Sequence, residues 1–235
     1  MKKRIAALIT AALLLVCMMP LSSLADGTRY PTPDGYNEND YQKLVTFLEL
    51  VDENGVKNGE KLSESYDPQD PATWEDTTWE NGRIKAIYFD YEKCVGKLDV
   101  SDCTMLEWLS CYRNQITELD VSNCTALEWL ECGDNQLTEL DVSGCTALTE
   151  LRCGGNQLTE LDVSNNTALT YLRCYCNQLT ELDVSGCTAL TKLICYSNQL
   201  TELDVSNNTA LEELYCYNNQ LTELDVSNNT VLMYL

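Results

Sequence analysis

The amino-acid sequence predicts a solenoid of stacked 21-residue turns, with a parallel sheet of short strands along one face. Three observations carry this reading. A unit seen cleanly at 127–147, LEWLECGDNQLTELDVSGCTA, returns with its first leucine at Leu106, Leu127, Leu148, Leu169, Leu190, Leu211 and Leu232. Within the unit Leu130 and Cys132 alternate as half-buried strand residues do, and Leu140 and Val142 bring a second apolar edge back across the turn. A single turn cannot bury these side chains, whereas identical turns stacked on one another bury them together. With neighbouring strands roughly 4.8 Å apart, each leucine lies over its counterpart in the preceding turn. Residues 84–235 then hold one irregular unit, six complete ones and the beginning of another.

At the N-terminus, residues 1–25 have the form of a secretory signal peptide. Lys2, Lys3 and Arg4 supply the positive start, Ile5 to Met19 the apolar stretch, and Ser23 with Ala25 the small residues of a cleavage site. The apolar run is short for a spanning helix. Val16 is larger than the residue that normally precedes a lipid-modified cysteine, which counts against Cys17 as an anchor. Export is therefore expected, with no membrane insertion after cleavage. The formal net charge is −22, and losing Lys2, Lys3 and Arg4 with no acidic residue moves it three units, to −25. Such acidity argues against nucleic acid and anionic membrane surfaces as partners.

From Asp26 a polar, proline-bearing stretch leads to an amphipathic helix over about residues 40–51. Tyr41, Leu44, Val45, Leu48 and Val51 share one face, Asn37 is its N-cap and Gly55 its stop. Residues 57–76, with Pro68 and Pro71, read as a loop. Trp74 and Trp79 precede the first strand-like run, Ile84, Ile87 and Phe89, after which one extra residue intervenes before Leu98. The first turn of a solenoid needs a cover, so residues 26–83 read as an N-terminal cap built on the helix and the tryptophans. A separate sugar site at the tryptophans is the weaker alternative, because large aromatics mostly serve burial. The chain stops at Leu235 inside the next predicted strand, which reads as a fragment with further repeats, a cap and an anchor beyond it.

Asn114, Asn135, Asn156, Asn177, Asn198 and Asn219 form one column through the units. A buried asparagine must find partners, and backbone groups freed where the chain leaves the strand are the nearest. Cys111, Cys132, Cys153, Cys174, Cys195 and Cys216 form another, facing the core; both columns read as structural. A second cysteine column, Cys103, Cys124, Cys145 and Cys187, has Asn166, Asn208 and Asn229 in place of cysteine, and Cys94 and Cys176 lie outside both. Export makes disulfides the default. Yet the first column sits where small apolar residues would, and Cys187 has asparagine on either side, two turns being too far for a bond. Reduced ladders are the expectation. The acidic column Asp99 to Asp225, with Glu118 to Glu223 nearby, lacks the nonapeptide or EF-hand loop that calcium requires. With no histidine and no paired C-x-x-C, neither a metal site nor a cofactor is expected.

The pattern L-x-x-L-x-C-x-x-N-x-L-x-x-L-D-V-S resembles the leucine-rich repeat family over residues 84–235, and within it the bacterial internalin-type repeats of 21 residues with cysteine at the third strand position. The order helix, loop, tryptophan and then Gly82-Arg83-Ile84 is similar to the N-terminal caps of that family. The resemblance implies an α/β-class solenoid with few helices, curved, with its parallel sheet on the concave face and an irregular or 3-10 convex side. It also implies a short helical cap and extracellular protein recognition.

Function is sought where units differ. NQLTELDVS hardly changes, whereas residues interleaved with the inward Leu and Cys of each strand vary, and strand alternation turns them outward onto the sheet. One column runs Trp108, Trp129, Glu150, Tyr171, Lys192, Glu213 and Tyr234; the next Ser110, Glu131, Arg152, Arg173, Ile194 and Tyr215; the third Tyr112, Gly133, Gly154, Tyr175, Tyr196 and Tyr217. The candidate ligand-binding residues are Trp108, Tyr112, Trp129, Glu131, Arg152, Tyr171, Arg173, Tyr175, Lys192, Ile194, Tyr196, Glu213, Tyr215 and Tyr217. Trp, Tyr and Arg are the types enriched at binding hot spots, although aromatic stacking between strands also stabilises a sheet by itself. Arg152, Arg173 and Lys192 either orient an acidic partner or pair with Glu131, Glu150 and Glu213.

The absence of histidine excludes Ser-His-Asp and Cys-His catalysis. No phosphate loop or dinucleotide fingerprint is present, and no unique carboxylate pair stands out for glycoside hydrolysis. The sequence thus predicts a non-catalytic bacterial protein, secreted or on the cell surface, that binds a host or surface protein through its concave face. Glycan or mucin-type binding on Trp108, Trp129 and the tyrosines is the alternative, and a passive spacer is a third.

Overall fold

The computed structural model describes residues 30–235, so the expected signal peptide lies outside the described residues. Helix α1 spans Glu38–Leu48, capped by Asn37, whose side chain accepts from the Asp40 amide. Its apolar face is fully used: Tyr41, Leu44, Val45, Phe47 and Leu48 are buried. It ends at Leu48, short of the expected Val51. The Asp52 carboxylate accepts the Asn54 and Val56 amides at 2.8 and 3.1 Å, and this local bonding turns the chain rather than extending the helix. Val51 bridges to Lys57 and is left exposed, and Gly55 serves that turn at φ +79° instead of stopping the helix.

The segment expected to be a loop contains a second helix, α2 (Asn58–Leu62), and a 3-10 turn at Pro71–Thr73. Five residues are too few for periodicity to reveal. Asn58 anchors α2: fully buried, it donates to Phe47 O and Val95 O and accepts from Val95 N, each at 3.0 Å. Trp74 is buried and stacked on Tyr41 with centroids 5.4 Å apart, and its indole N–H donates to Asp67 O. Asp40, also fully buried, accepts from Arg83 Nε at 2.7 Å and from Ile84 N at 3.0 Å. That carboxylate ties α1 to the start of the sheet, and its hydrogen bond, together with its charge, raises the Arg83 pKa.

The sheet opens with an antiparallel pair, β1 (Thr77–Glu80) and β2 (Arg83–Tyr88). Two further strands, β3 (Val95–Asp99) and β5 (Gln115–Asp120), pair in parallel in the returning half of the first turns. Strands β4 (Trp108–Ser110), β6 (Trp129–Glu131), β7 (Glu150–Arg152), β8 (Tyr171–Arg173), β9 (Lys192–Ile194) and β10 (Glu213–Tyr215) then follow β2 in parallel, one per turn. From the third turn on, the returning half is irregular.

Ladder register places Ile87, Leu109, Leu130, Leu151, Leu172, Leu193 and Leu214 in one row with essentially no exposure. Fully burying each of these contributes about 2 kcal/mol. The spacing between the first two strands is 22 rather than 21, and the extra residue is absorbed by a register shift at Gly96/Lys97, where Gly96 has φ +84°.

From β4 on, each strand of this sheet lasts only three residues, and the asparagine column closes the turn that follows. Asn156 Nδ2 donates to Cys132 O at 3.0 Å and Cys153 O at 3.1 Å, and its Oδ1 accepts from Leu137 N at 3.0 Å. Asn135, Asn177, Asn198 and Asn219 repeat this set. In the second cysteine column Cys124, Cys145 and Cys187 direct Sγ at the carbonyl 24 residues back. Asn166 donates to that same carbonyl position, Val142 O, and to Cys145 O, while the Oδ1 atoms of Asn166, Asn208 and Asn229 meet no donor. The described cysteines are free thiols, and all are buried except Cys176, which is exposed, and Cys216, which is partly covered. Burial pushes the Cys94, Cys124, Cys145 and Cys153 thiols up to about 12.

Three outcomes follow from these contacts and from the burial of the thiols. Asn156→Ala strands three buried backbone groups and should cost roughly 3 kcal/mol or more in urea denaturation. Asn166→Cys, which removes an unpaired oxygen, should stay within about 1 kcal/mol of the parent or exceed it. Alkylation of the native chain should modify Cys176 first, with the fully buried thiols reacting only in denaturant, as peptide mapping would read.

Candidate functional site

The variable residues stand on the outward face of the parallel sheet, in register. The pairs Trp108–Trp129, Trp129–Glu150, Glu150–Tyr171, Tyr171–Lys192 and Lys192–Glu213 are direct ladder neighbours, and Tyr234 bridges to Glu213. Trp108 is exposed and the rest of this row through Glu213 is half-buried. The second row, Ser110, Glu131, Arg152, Arg173, Ile194 and Tyr215, is aligned in the same way. In the third row Tyr175, Tyr196 and Tyr217 stack with centroids 4.9 and 4.6 Å apart, following the spacing of the turns.

The charges between these rows are mostly paired. Arg152 bonds Glu150 and lies 3.7 Å from Glu131, and Lys192 meets Glu213 at 2.7 Å. Arg152 and Lys192 both sit over the Tyr171 ring, at 5.0 and 5.4 Å. Arg173 differs. Among the described residues only it and Lys93 are cations outside every ion pair, and Arg173 instead lies over the Tyr175 ring at 4.6 Å and donates to its hydroxyl at 3.3 Å.

Residues 188–229 match the family model for leucine-rich repeats, in two copies. The unit matched there is the one that recurs through the sheet. The fold is a leucine-rich repeat solenoid. Solved structures similar to it include an internalin, InlF, from Listeria monocytogenes, at 24% identity and TM-score 0.55 over 66% of this chain and 48% of that one. The leucine-rich repeat protein LIC12759 from Leptospira interrogans is similar at 24% identity and TM-score 0.50, over 65% and 47%. The functional domain of InlJ from Listeria monocytogenes, which includes a cysteine ladder, shares 36% identity at TM-score 0.46, over 64% and 40%. The chain thus spans under half the length of each of these structures. A search of curated proteins gave no match.

Two positions in the leucine-rich repeat sheet depart from the outward reading. Ser110 has no exposure and donates to the Asp90 carboxylate, while Glu131 is 8% exposed and accepts from the Gly133 amide at 3.1 Å. Asp90 holds Ser110 inward, and for Glu131 the cause lies in the glycines of the third row. A Cβ on Gly154 would stand 2.2 Å from Tyr175 Cε1, and one on Gly133 would stand 2.8 Å from Glu131 Oε1. Their absence lets Tyr175 lie over the preceding turn and lets Glu131 fold back against its own strand. Alternation gives a side chain's direction and takes no account of what neighbouring turns lay over it.

The repeat columns also miss Asp90, which accepts from Tyr112 N at 2.7 Å. Extending the third row back by 22 rather than 21 residues would have found it. Also missed is a rim column just before each structural asparagine: Arg113, Asp134, Gly155, Cys176, Ser197 and Asn218, all at positive φ. Arg113 pairs there with Asp134 at 3.0 Å and lies over the Tyr91 and Tyr112 rings. On the irregular side, Asp141, Asp162, Asp183, Asp204 and Asp225 each accept the amide of the serine two residues on, at 2.8 Å, and the serine bonds hold these carboxyls below their ordinary range. Among the described residues no cluster of three or more carboxylates and thiols is placed to hold a metal ion.

Burial pushes the Glu131 carboxyl up to about 7, against the opposing pull of the Gly133 amide and Arg152. A carboxyl raised in the folded state binds its proton more tightly than in the unfolded chain. It therefore weakens the fold as pH climbs from about 4.5 to about 7. Glu131→Gln should raise stability at pH 8 by about 2 kcal/mol and by little at pH 4.5, read from urea midpoints at the two pH values.

Proposed function

We propose that this chain is a secreted or cell-surface recognition module that binds another protein through the outward face of its sheet and catalyses nothing itself. A leucine-rich repeat fold supports protein recognition in general. The observation that carries the proposal is where the variation falls. Turns that repeat almost unchanged elsewhere differ at the three rows of the sheet face, and those rows are rich in Tyr, Trp and Arg. The leader-like residues 1–25 support export, and the absence of histidine removes the commonest general base. No helix among the described residues is long and apolar enough to cross a membrane.

Replacing Tyr175, Tyr196 and Tyr217 together by serine should weaken capture of the partner from a panel of purified surface proteins by tenfold or more, on the order expected of aromatic hot spots. The circular dichroism of the variant should match the parent. Unchanged capture would place binding outside the sheet face, no capture by the parent would mark a spacer, and binding confined to a glycan array would favour a sugar ligand.

A further inference from the structure

Arg173 is the side chain whose arrangement the scaffold does not explain. Its neighbours on the adjoining strands, Arg152 and Lys192, are each neutralised by carboxylates of the same sheet face. Arg173 lies on β8, between their strands and in register with Arg152 and Ile194, yet no carboxylate forms an ion pair with it, and Glu131 acts on it only at longer range. Arg173 is half-buried, with its guanidinium carbon 4.6 Å from the Tyr175 ring centre and one hydrogen bond to that hydroxyl. Tyr175 is itself fixed, because its ring occupies the space that a side chain at Gly154 would need. A guanidinium carries five N–H donors in a rigid fork, and one contact to a tyrosine leaves most of them unspent. The fork is therefore pre-positioned, so little side-chain freedom remains to be lost on binding.

From this geometry we propose that Arg173 is the anchor of a subsite for a single carboxylate of the bound protein, an Asp or Glu side chain in an acidic or neutral segment laid across the sheet. The inference rests on the sheet face being the binding surface and adds the chemistry that the surface selects. A cation with no carboxylate in ion-pair contact has room for one negative charge. A dianionic phosphate would bring a second charge toward Glu131, Glu150 and Glu213, whereas a planar carboxylate matches the guanidinium fork with two parallel bonds. The long-range field of a chain with net charge −22 opposes an acidic ligand, so the selection acts at contact distance and at this position.

The test begins with a random dodecapeptide library displayed on phage and selected on the purified chain. The selected peptides should share an Asp or Glu at one place. In calorimetry, converting that residue to its amide should weaken binding to the parent by about tenfold or more. Arg173→Gln should lose the same factor and then bind the acid and amide peptides alike. Arg173→Lys, keeping charge without the fork, should fall between, and Lys97→Gln on the irregular side should change nothing. Three results would overturn the subsite: no selected peptides, selected peptides without a shared acid, or an Arg173→Gln chain that still prefers the acid form. If the triple tyrosine variant binds the peptides as the parent does, the sheet-face reading itself fails. If the tyrosines matter and Arg173→Gln does not, only the carboxylate subsite falls.

Discussion

From β4 on, every turn of this coil leaves its sheet strand after three residues, and the backbone groups released there must be satisfied inside a dry core. One asparagine per turn meets that need. Its amide nitrogen reaches carbonyls 24 and 3 residues back, and its oxygen takes an amide 19 back. The two carbonyls lie one period apart, so the side chain spans neighbouring turns and holds them at a set spacing. The first, longer turn shows the same rule. Asn114 reaches Phe89 O and Cys94 N, 25 and 20 residues back, one more in each case. The extra residue falls beyond Cys94, at the Gly96/Lys97 irregularity, where it leaves the asparagine geometry intact.

The same accounting explains two substitutions within the coil. Cysteine and asparagine replace one another in the second column because both offer a donor to the carbonyl 24 residues back. Asparagine adds a second bond to the neighbouring turn at 2.9 Å, which the Cys187 thiol makes at 3.8 Å, but carries an oxygen that finds no donor. At the N-terminal end the first turn has no preceding turn to pair with, and Asn58 of α2 supplies the bonds to Val95 instead. Asp40 of α1 does the equivalent for Ile84. Buried polar side chains, as well as the tryptophans, therefore join the N-terminal segment to the coil.

How much of this was legible follows from what a period can encode. The solenoid, the parallel sheet and the stacking of Leu130, Leu151 and Leu172 needed only the fixed return of leucine, since one geometry serves every turn. The rows of the sheet face followed from strand alternation. Features used once were not legible. Helix α2 is too short to show a face, and the helix end at Leu48 depends on one aspartate. The burial of Glu131 depends on glycines in its own and the next turn and on a tyrosine two turns away. Repetition identifies the scaffold and, by subtraction, the positions that differ, but an interaction made by a single residue with unique neighbours leaves no periodic trace.

Charge is divided between the two sides of the coil for related reasons. On the irregular side each aspartate is matched to the serine amides of its own turn, so its negative charge belongs to local structure and recurs with the repeat. On the sheet side Arg152, Arg173 and Lys192 occur among aromatics, in turns where the other units carry different residues. Charges that recur are satisfied within one turn, whereas charges that vary also pair across turns, as Arg152 does with Glu131 besides Glu150 of its own strand, and Lys192 with Glu213. A surface built by such cross-turn pairing has a definite local balance at each strand. Where that pairing is incomplete, as at Arg173, the local balance departs from the overall acidity of the chain.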